Sequence, residues 1–538
     1  MKHTFEKIKL EQERKAKEKK SKRRWRIFAG IMLLAQTIAS GYLFQKAFAL
    51  DMLPGRLIFV LGGVLFVLLA VNYLLYFAGV KKTGARTFRR FIAIILTLAI
   101  CTGAVYVGNV MGKVSSTVKQ ITFSDKETVA AVMDVYVLSK DPAVSLSDCN
   151  GYKFGVVGGN DGAASFAAVT KIGSETGSTP DAKDYASSSE LARALYKSEI
   201  RALVINHNYI DILEETEEFA GFEDKTKLVA SVIITPEELA AAQSSHPYTA
   251  TVSDDKPVEI APATAQVEKI EVEPFIVYIS GSDTREKMFQ ISRSDVNILM
   301  VVNPQTKQIL LLNTPRDYYV PNPRSSYGTK DKLTHLGIYG VDCSITGLEN
   351  LYNCDINYYV QINFTGTETL IDDLGGITIN NPQSFSARGY SFPSGEITLN
   401  GPQAVVFARE RYAFVTGDNM RGQNQMRLIT AIIKKLTSPN TALILNYNAI
   451  LTDLEGFIVT NMESDEIENL VKMQLNDMAT WNVKTYAVTG YGGYDTTYSM
   501  PGTNLYVTYP YMSTVEKGSG LIDKVLNGET LTDEDVSD

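Results

Sequence analysis

Pro274-Phe-Ile-Val-Tyr-Ile279, Val296-Asn-Ile-Leu-Met-Val-Val302 and Gln308-Ile-Leu-Leu-Leu312 are three short, nearly unbroken apolar runs that follow one another closely. Runs of this length, bounded by turn residues and lacking a polar face, read as strands buried on both sides. Asn357-Tyr-Tyr-Val-Gln-Ile-Asn363 and Gly376-Ile-Thr-Ile379 add further strands. Helical periodicity fits residues 344–352, 365–373, 401–409 and 423–436. Strands interleaved with helices of this size predict an α/β/α domain with a central mixed sheet over residues 266–530.

A smaller α/β unit is expected upstream, over residues 114–265. It opens on a helical pattern at 125–139, continues through a strand at 152–157 and a helix at 188–197, and reaches a second strand at 201–205. Gly158-Gly-Asn-Asp-Gly162 follows the first of these strands. Such a turn can cradle an anion at a helix start. It lacks the Lys-Ser/Thr of a nucleotide-phosphate loop and the spacing of a dinucleotide fingerprint, so it reads as a tight turn. From 244 to 272 the composition shifts to Ser, Thr, Pro and acidic residues, and Pro247, Pro257 and Pro262 mark a linker.

Charge divides the chain. Residues 1–113 hold 20 Lys and Arg against 5 Asp and Glu, a net of +15, and the remainder holds 32 against 55, a net of −23. The basic part consists of a tail, residues 1–26, that runs into apolar stretches at 27–44, 57–79 and 91–110. Each stretch approaches the ~20 residues that cross a bilayer. The loop after the second carries Lys81, Lys82, Arg86, Arg89 and Arg90, whereas the loop after the first has only Lys46, Asp51 and Arg56. Positive flanks remain in the cytoplasm. The expectation is a multi-pass cell-membrane protein with a cytoplasmic N-terminus and everything after Val110 outside. A cleaved signal peptide followed by core helices is the alternative; the long tail, the three runs and the lack of a small-residue cleavage site count against it.

Four cysteines are few for an exported chain. Cys343 and Cys354 flank a short helical pattern whose rise separates them by roughly 16 Å, too far for a bridge. With four histidines and no paired-cysteine spacing, a structural zinc site has no support.

Chemistry concentrates at strand and helix ends. The first long strand ends in Ser280-Gly-Ser-Asp283, and Asp295 immediately precedes the next. If these strands are neighbours, the two carboxylates converge and suit Mg2+, which takes a few oxygen ligands together with substrate phosphate. Acidic residues at strand ends also serve as plain solvated turns. Arg316 lies just beyond the strand 308–312, a common site position in open α/β sheets. Residues 409–425, Arg-Glu-Arg-Tyr-Ala-Phe-Val-Thr-Gly-Asp-Asn-Met-Arg-Gly-Gln-Asn-Gln, add Arg409, Arg411, Asp418, Arg421 and Gln425. Arginine forks match phosphate oxygens two at a time. Arg421 and Gln425 share a helical face, near a helix start that itself favours anions. Surface salt bridges, at about 0–1 kcal/mol each, are the bland alternative, and they would not require several arginines at strand ends.

Gly281-Ser-Asp283, Arg293-Ser-Asp295, Thr314-Pro-Arg316-Asp317, Lys332-Leu-Thr-His335, Asp373-Leu-Gly-Gly376, Ala408-Arg-Glu-Arg411 and Asp418-x-x-Arg421-x-x-Asn-Gln425 together resemble the LytR-CpsA-Psr family, in its order. The resemblance is nearest to the capsule-type branch, with three N-terminal spans and an accessory domain ahead of the catalytic one. It implies a Mg2+-dependent phosphotransferase that moves a glycopolymer from polyprenyl diphosphate to peptidoglycan, with capsule-assembly proteins as further partners. By residue match, Asp283 and Asp295 would hold the metal. Arg293, Arg316, Arg409, Arg411, Arg421 and Gln425 would hold the diphosphate, with Arg316, Arg409 and Arg411 catalytic. Asn424 departs from relatives that carry arginine there. No general base is evident; His335 and Asp317 are candidates, and His335 also reads as structural.

Two other classes are open on this sequence. A binding or sensing module would hold the lipid diphosphate without transferring from it. A transcription regulator conflicts with topology, since an acidic, exported domain repels DNA, and no nucleic-acid partner is expected.

Overall fold

The computed structural model describes residues 2–49, 53–78, 83–122, 129–245, 258, 260, 266–282, 291–414, 417–438, 450, 453, 454 and 456–537. Most of the expected linker at 244–272 lies outside these residues. The chain packs as two units, residues 1–120 with 440–452 and 464–478, and the rest.

In the first unit, helices Lys2–Ala49, Gly55–Phe77 and Thr83–Thr122 contain the three apolar runs, and the third extends to the end of the basic segment and beyond. Lys9–Ala49, Gly55–Phe77 and Gly84–Met111 are long and apolar enough to cross a membrane. They meet through small residues, Ala29 with Ala93 and Ala39 with Ala104, which let helices approach closely where lipid offers no hydrophobic drive. Asn72 Nδ2 donates to Gln36 Oε1 (2.7 Å) and Thr97 Oγ1 (3.0 Å), one residue from each helix. In hydrocarbon such groups must satisfy one another.

The larger unit contains two main sheets. The five-stranded sheet runs Asp181–Tyr185, Lys153–Val157, Ala202–Asn206, Ala131–Leu138, Thr226–Ile234. The helical reading of 125–139 is corrected here: Ala131–Leu138 is a strand, antiparallel to Ala202–Asn206 and Thr226–Ile234, and 125–128 lie outside the described residues. Its Val132, Val135, Tyr136 and Val137 are buried, and β-branched and aromatic side chains fit a pleat covered on both faces. Helix Ser188–Tyr196 matches the helix expected at 188–197, whereas helix Gly162–Thr176 and strand Asp181–Tyr185, between the glycine turn and it, were not expected from the sequence. Residues 158–162 form a tight turn, with Asp161 at the start of the first of these helices.

The six-stranded sheet is mixed, in the order Ile458–Thr460, Tyr358–Asn363, Phe275–Ser282, Val296–Asn303, Gln308–Asn313, Asn482–Ala487. Phe275–Ser282 is parallel to Tyr358–Asn363 and antiparallel to Val296–Asn303, which is antiparallel to Gln308–Asn313. Gln308–Asn313 is parallel to Asn482–Ala487. The C-terminal ends of four strands and the start of Val296–Asn303 therefore share one edge. Ile377–Asn381, the stretch read as a further strand, pairs instead with Gly395–Leu399 in a separate two-stranded sheet. Tyr278, Leu299, Leu310 and Leu312 form one core with Leu348, Leu521 and Val525 from the helices Val341–Tyr352 and Met512–Leu526. Each such side chain contributes about 1.5–3 kcal/mol by leaving water. Cys101, Cys149, Cys343 and Cys354 are free thiols.

Candidate active site

The sheet edge assembles the acidic residues first. Gly281 pairs with Val296, and Asp295 N–H donates to Gly281 O at 2.8 Å, so Asp295 sits against the end of Phe275–Ser282. Asp283, the second expected metal ligand, lies outside the described residues. On the next strand Thr314 N–H donates to Asn297 O at 2.9 Å, which carries Pro315 and Arg316 over the same edge. Arg316 Nη1 then meets Asp295 Oδ1 at 2.6 Å, with both side chains mostly buried. Arg316 Nε lies 3.7 Å from Asp317 Oδ2, beyond hydrogen-bonding range.

Burial alone would raise the Asp295 pKa. The cations Arg316, Arg293 and Arg421 more than offset it and hold the carboxyl at about 2. Burial likewise opposes the charge of Arg316, but Asp295, Asp317 and Glu215 push its pKa up. Both groups are ionised throughout the working range.

Helix Asp418–Thr437 brings the second group of arginines. It is entered through Gly417, at φ +46°, and pressed onto the strand end at Gly422, where an added Cβ would stand 2.4 Å from Asn313 Nδ2. That close approach sets Arg421 beside the edge, 2.5 Å from Asp418 Oδ1. Burial lowers the Arg421 pKa; Asp418 opposes this, and Arg316 and Arg411 reinforce it. Burial raises that of Asp418, with Asp317 adding to the effect and Arg421, Arg316 and Arg411 opposing it. Arg316 and Arg421 thus act on one another's partners, and Arg411 is near enough to act on Asp418 and Arg421 as well. Arg316 Nε is buried there without a hydrogen bond among the described residues, while Asp317 Oδ1 lies 3.4 Å from Lys332 Nζ and Asp418 Oδ1 pairs with Arg421 Nη2.

The remaining expected residues are placed differently. Arg409 stacks 4.1 Å over Phe364, the residue following strand Tyr358–Asn363, and so stands on the same edge. Arg411 also donates to Tyr412 Oη at 2.7 Å. Gln425 is buried one turn beyond Arg421. Arg293 turns its fork to the smaller sheet's unit: Nη1 donates to Glu215 Oε1 (3.0 Å) and Nη2 to Asp211 Oδ2 (2.9 Å). His335 is fully buried with Nδ1 2.9 Å from both Asp331 Oδ1 and Ser499 Oγ, the setting of a structural histidine. Asn424 points into the core, accepting from Arg427 Nη1 at 2.7 Å and donating to Phe407 O at 3.4 Å, so it joins two helices.

Glu215, Asp211 and Lys332 are the members that sequence reasoning assigned no role. Lys332 stands in a quoted motif, and its nearly complete burial is what sets it apart. Glu215 lies in the acidic run Glu214-Glu-Thr-Glu-Glu218, which gives no signal beyond a solvated face.

Comparison with known proteins bears on this edge directly. The LytR_cpsA_psr family profile matches residues 238–508. The polyisoprenyl-teichoic acid–peptidoglycan teichoic acid transferase TagU of Enterococcus faecalis is 36% identical over 208 residues, 38% of this chain and 67% of that protein. TagU of Oceanobacillus iheyensis is 33% identical over 223 residues, 40% of this chain and 67% of its own length. The crystal structure of Bacillus subtilis TagV aligns with 48% of this chain and 99% of its own, at 25% identity and a TM-score of 0.41. The profile takes in both arginine-bearing segments and the whole six-stranded sheet, half of the sequence: the chain belongs to the LytR-CpsA-Psr family.

Proposed function

We propose that this protein is a membrane-anchored phosphotransferase that moves a glycopolymer, with its phosphate, from a polyprenyl diphosphate carrier to peptidoglycan. The observation that carries this reading is that Arg316 and Arg421 lie buried at one sheet edge, each paired with a carboxylate, with Arg411 near enough to act on the second pair. Displacement at phosphorus depends chiefly on alignment and on neutralising charge over the phosphate oxygens. Guanidinium groups gathered at a partly desolvated sheet edge would do both. A sugar hydroxyl of peptidoglycan attacks the sugar-linked phosphorus, the bond to the bridging oxygen breaks, and polyprenyl phosphate leaves. The names of the two TagU relatives, transferases of polyisoprenyl-linked teichoic acid to peptidoglycan, support the class of reaction.

The residues present fit Mg2+. Asp295 is an ionised oxygen donor engaged by Arg316 through Oδ1, and Asp317 and Asp418 are further carboxylates at the site, each ion-paired with a cation of the chain. Mg2+ takes one or two protein carboxylates and completes its shell with phosphate and water. Asp295, together with Asp283, would hold it, and it would neutralise phosphate charge as the leaving group departs. A capsular polysaccharide is the polymer proposed, on the three spans and the extra α/β sheet that precede the catalytic one. The positive loops support a cytoplasmic N-terminus and an external catalytic domain.

The test is release of polyprenyl phosphate by the purified full chain, supplied with a polyprenyl-diphosphate-linked oligosaccharide, peptidoglycan and Mg2+. Tight binding without release would replace the transferase with a binding or sensing protein. Protease added to intact protoplasts should remove the region after Val110, and full protection would reverse the topology.

A further inference from the structure

We propose that Glu215, which belongs to the smaller α/β sheet's part of the chain, is a positioning residue of the transfer site; the proposal rests on the transferase reading above. Glu215 follows helix Asn208–Glu214 and reaches across to the larger sheet with both oxygens. Oε1 accepts from Arg293 Nη1 at 3.0 Å and Oε2 from Lys332 Nζ at 2.5 Å. Asp211, one helical turn earlier, takes the other arm of Arg293 at 2.9 Å.

Lys332 carries the effect inward. Its side chain is 3% exposed, and its ammonium has two carboxylate neighbours, Glu215 and, at 3.4 Å, Asp317 Oδ1. Asp317 Oδ2 faces Arg316 Nε at 3.7 Å, and Arg316 holds Asp295 at 2.6 Å. Glu215 therefore stands at the head of an unbroken row of alternating charges that ends on the proposed metal ligand. The outer links, Glu215 to Lys332 and Arg316 to Asp295, are hydrogen-bonded, and Asp317 joins them by charge at 3.4 and 3.7 Å.

A buried ammonium must be compensated, and removing one partner of a buried pair leaves a strained charge rather than a missing bond. Without the Glu215 carboxylate, Lys332 has Asp317 as its near anion and draws it inward, away from Arg316. Arg316 then swings about its bond to Asp295, and the fork aimed at phosphate loses its angle. The Glu215 pKa agrees with this geometry: burial would raise it, but His335, Lys332 and Arg293 bring it down to about 2, so the carboxylate is charged whenever the enzyme works. The smaller sheet's part of the chain is on this reading a contributor to the site rather than a spacer.

The experiment uses the full chain in detergent, a synthetic polyprenyl-diphosphate disaccharide, peptidoglycan and Mg2+, with release of polyprenyl phosphate as readout. Glu215→Gln should lower kcat by about 10- to 100-fold, the scale of a small misplacement of a reacting group, while KM moves less than about threefold. Glu215→Asp, which keeps the charge, should recover part of the loss. Turnover of Glu215→Gln within about twofold of wild type would overturn the proposal. So would equal losses in the Gln and Asp variants that follow melting temperature. Should Glu215→Gln fail to fold, Glu215→Gln with Lys332→Met removes both members of the tightest buried pair together and leaves Asp317 with Arg316 as its near cation, without its inner hold. That double variant is expected to lose turnover to the same degree, and wild-type turnover in it overturns the proposal equally. A wild type that never releases polyprenyl phosphate removes the transferase reading and this one with it; a normal wild type beside an equally fast Glu215→Gln removes this one alone.

Discussion

The five-stranded and six-stranded sheets of the larger unit share a construction, yet buried charge is distributed between them unequally. In the smaller sheet the buried charged side chain is Asp134, on the central strand, accepting from Ser231 Oγ at 2.6 Å and His207 Nδ1 at 2.7 Å. It ties neighbouring strands and faces no cleft. At the glycine turn 158–162 burial pushes the Asp161 pKa up to about 6. The larger sheet buries Asp317, Asp331, Lys332, His335 and Arg421 at or near one edge. Topology alone does not separate a scaffold from a site in this molecule. What separates them is how many charged groups of both signs gather at the strand ends.

The sharpest way to break that distinction is Arg316→Ala. It deletes a donor to the transferred phosphate and should lower release of polyprenyl phosphate by about 100- to 1000-fold, the usual cost of one such donor. It also strands Asp295 and Asp317 as buried anions, a loss of about 3–5 kcal/mol that guanidinium-chloride unfolding would read. Activity within a few-fold of wild type would mean the larger edge is another scaffold.

Asp134→Ala probes the other side of the comparison. His207 and Ser231 lose their acceptor, and unfolding free energy should fall by about 1–3 kcal/mol with no change in transfer below the melting temperature. A selective loss of turnover in that variant would show the smaller sheet to be a second catalytic surface.

The smallest expected effect concerns pH. The hydrogen bond to Asp134 raises the His207 pKa above its ordinary 6.5, and burial opposes this only in part. The protonated ring is the stabilised form. Its contribution is complete below pH 6.5 and disappears as pH rises through the folded value. His207→Gln should flatten the melting-temperature profile over that interval and leave the profile below it parallel to wild type.

The strands of the larger sheet were readable because burial on both faces leaves an apolar run with no competing period. The helices at 344–352, 365–373 and 401–409 were readable from their periodicity, and lie within Val341–Tyr352, Phe364–Asp373 and Gly401–Arg409. Ala131–Leu138 was not, because its Ala and Met content matches a helix as well as a strand, and pairing with strands far along the chain decided it. Asn482–Ala487 is partly exposed at a sheet border and carries Lys484 and Thr485, so its pattern has no apolar signature. The arginines at the site could be read as a group because their chemical type is unusual at strand ends. The partners of Arg293 could not. A glutamate in a run of glutamates looks solvated until the fold buries it.

One feature of the membrane helices has a mechanical meaning. Gln36, Asn72 and Thr97 lie on three different spans, and separating any pair would present an amide or hydroxyl to lipid tails at a cost of several kcal/mol. Rolling or sliding of a single span is therefore penalised far more than tilting of all three together. Asn72, bonded to both of the other spans, is thus the residue through which the three helices keep their register.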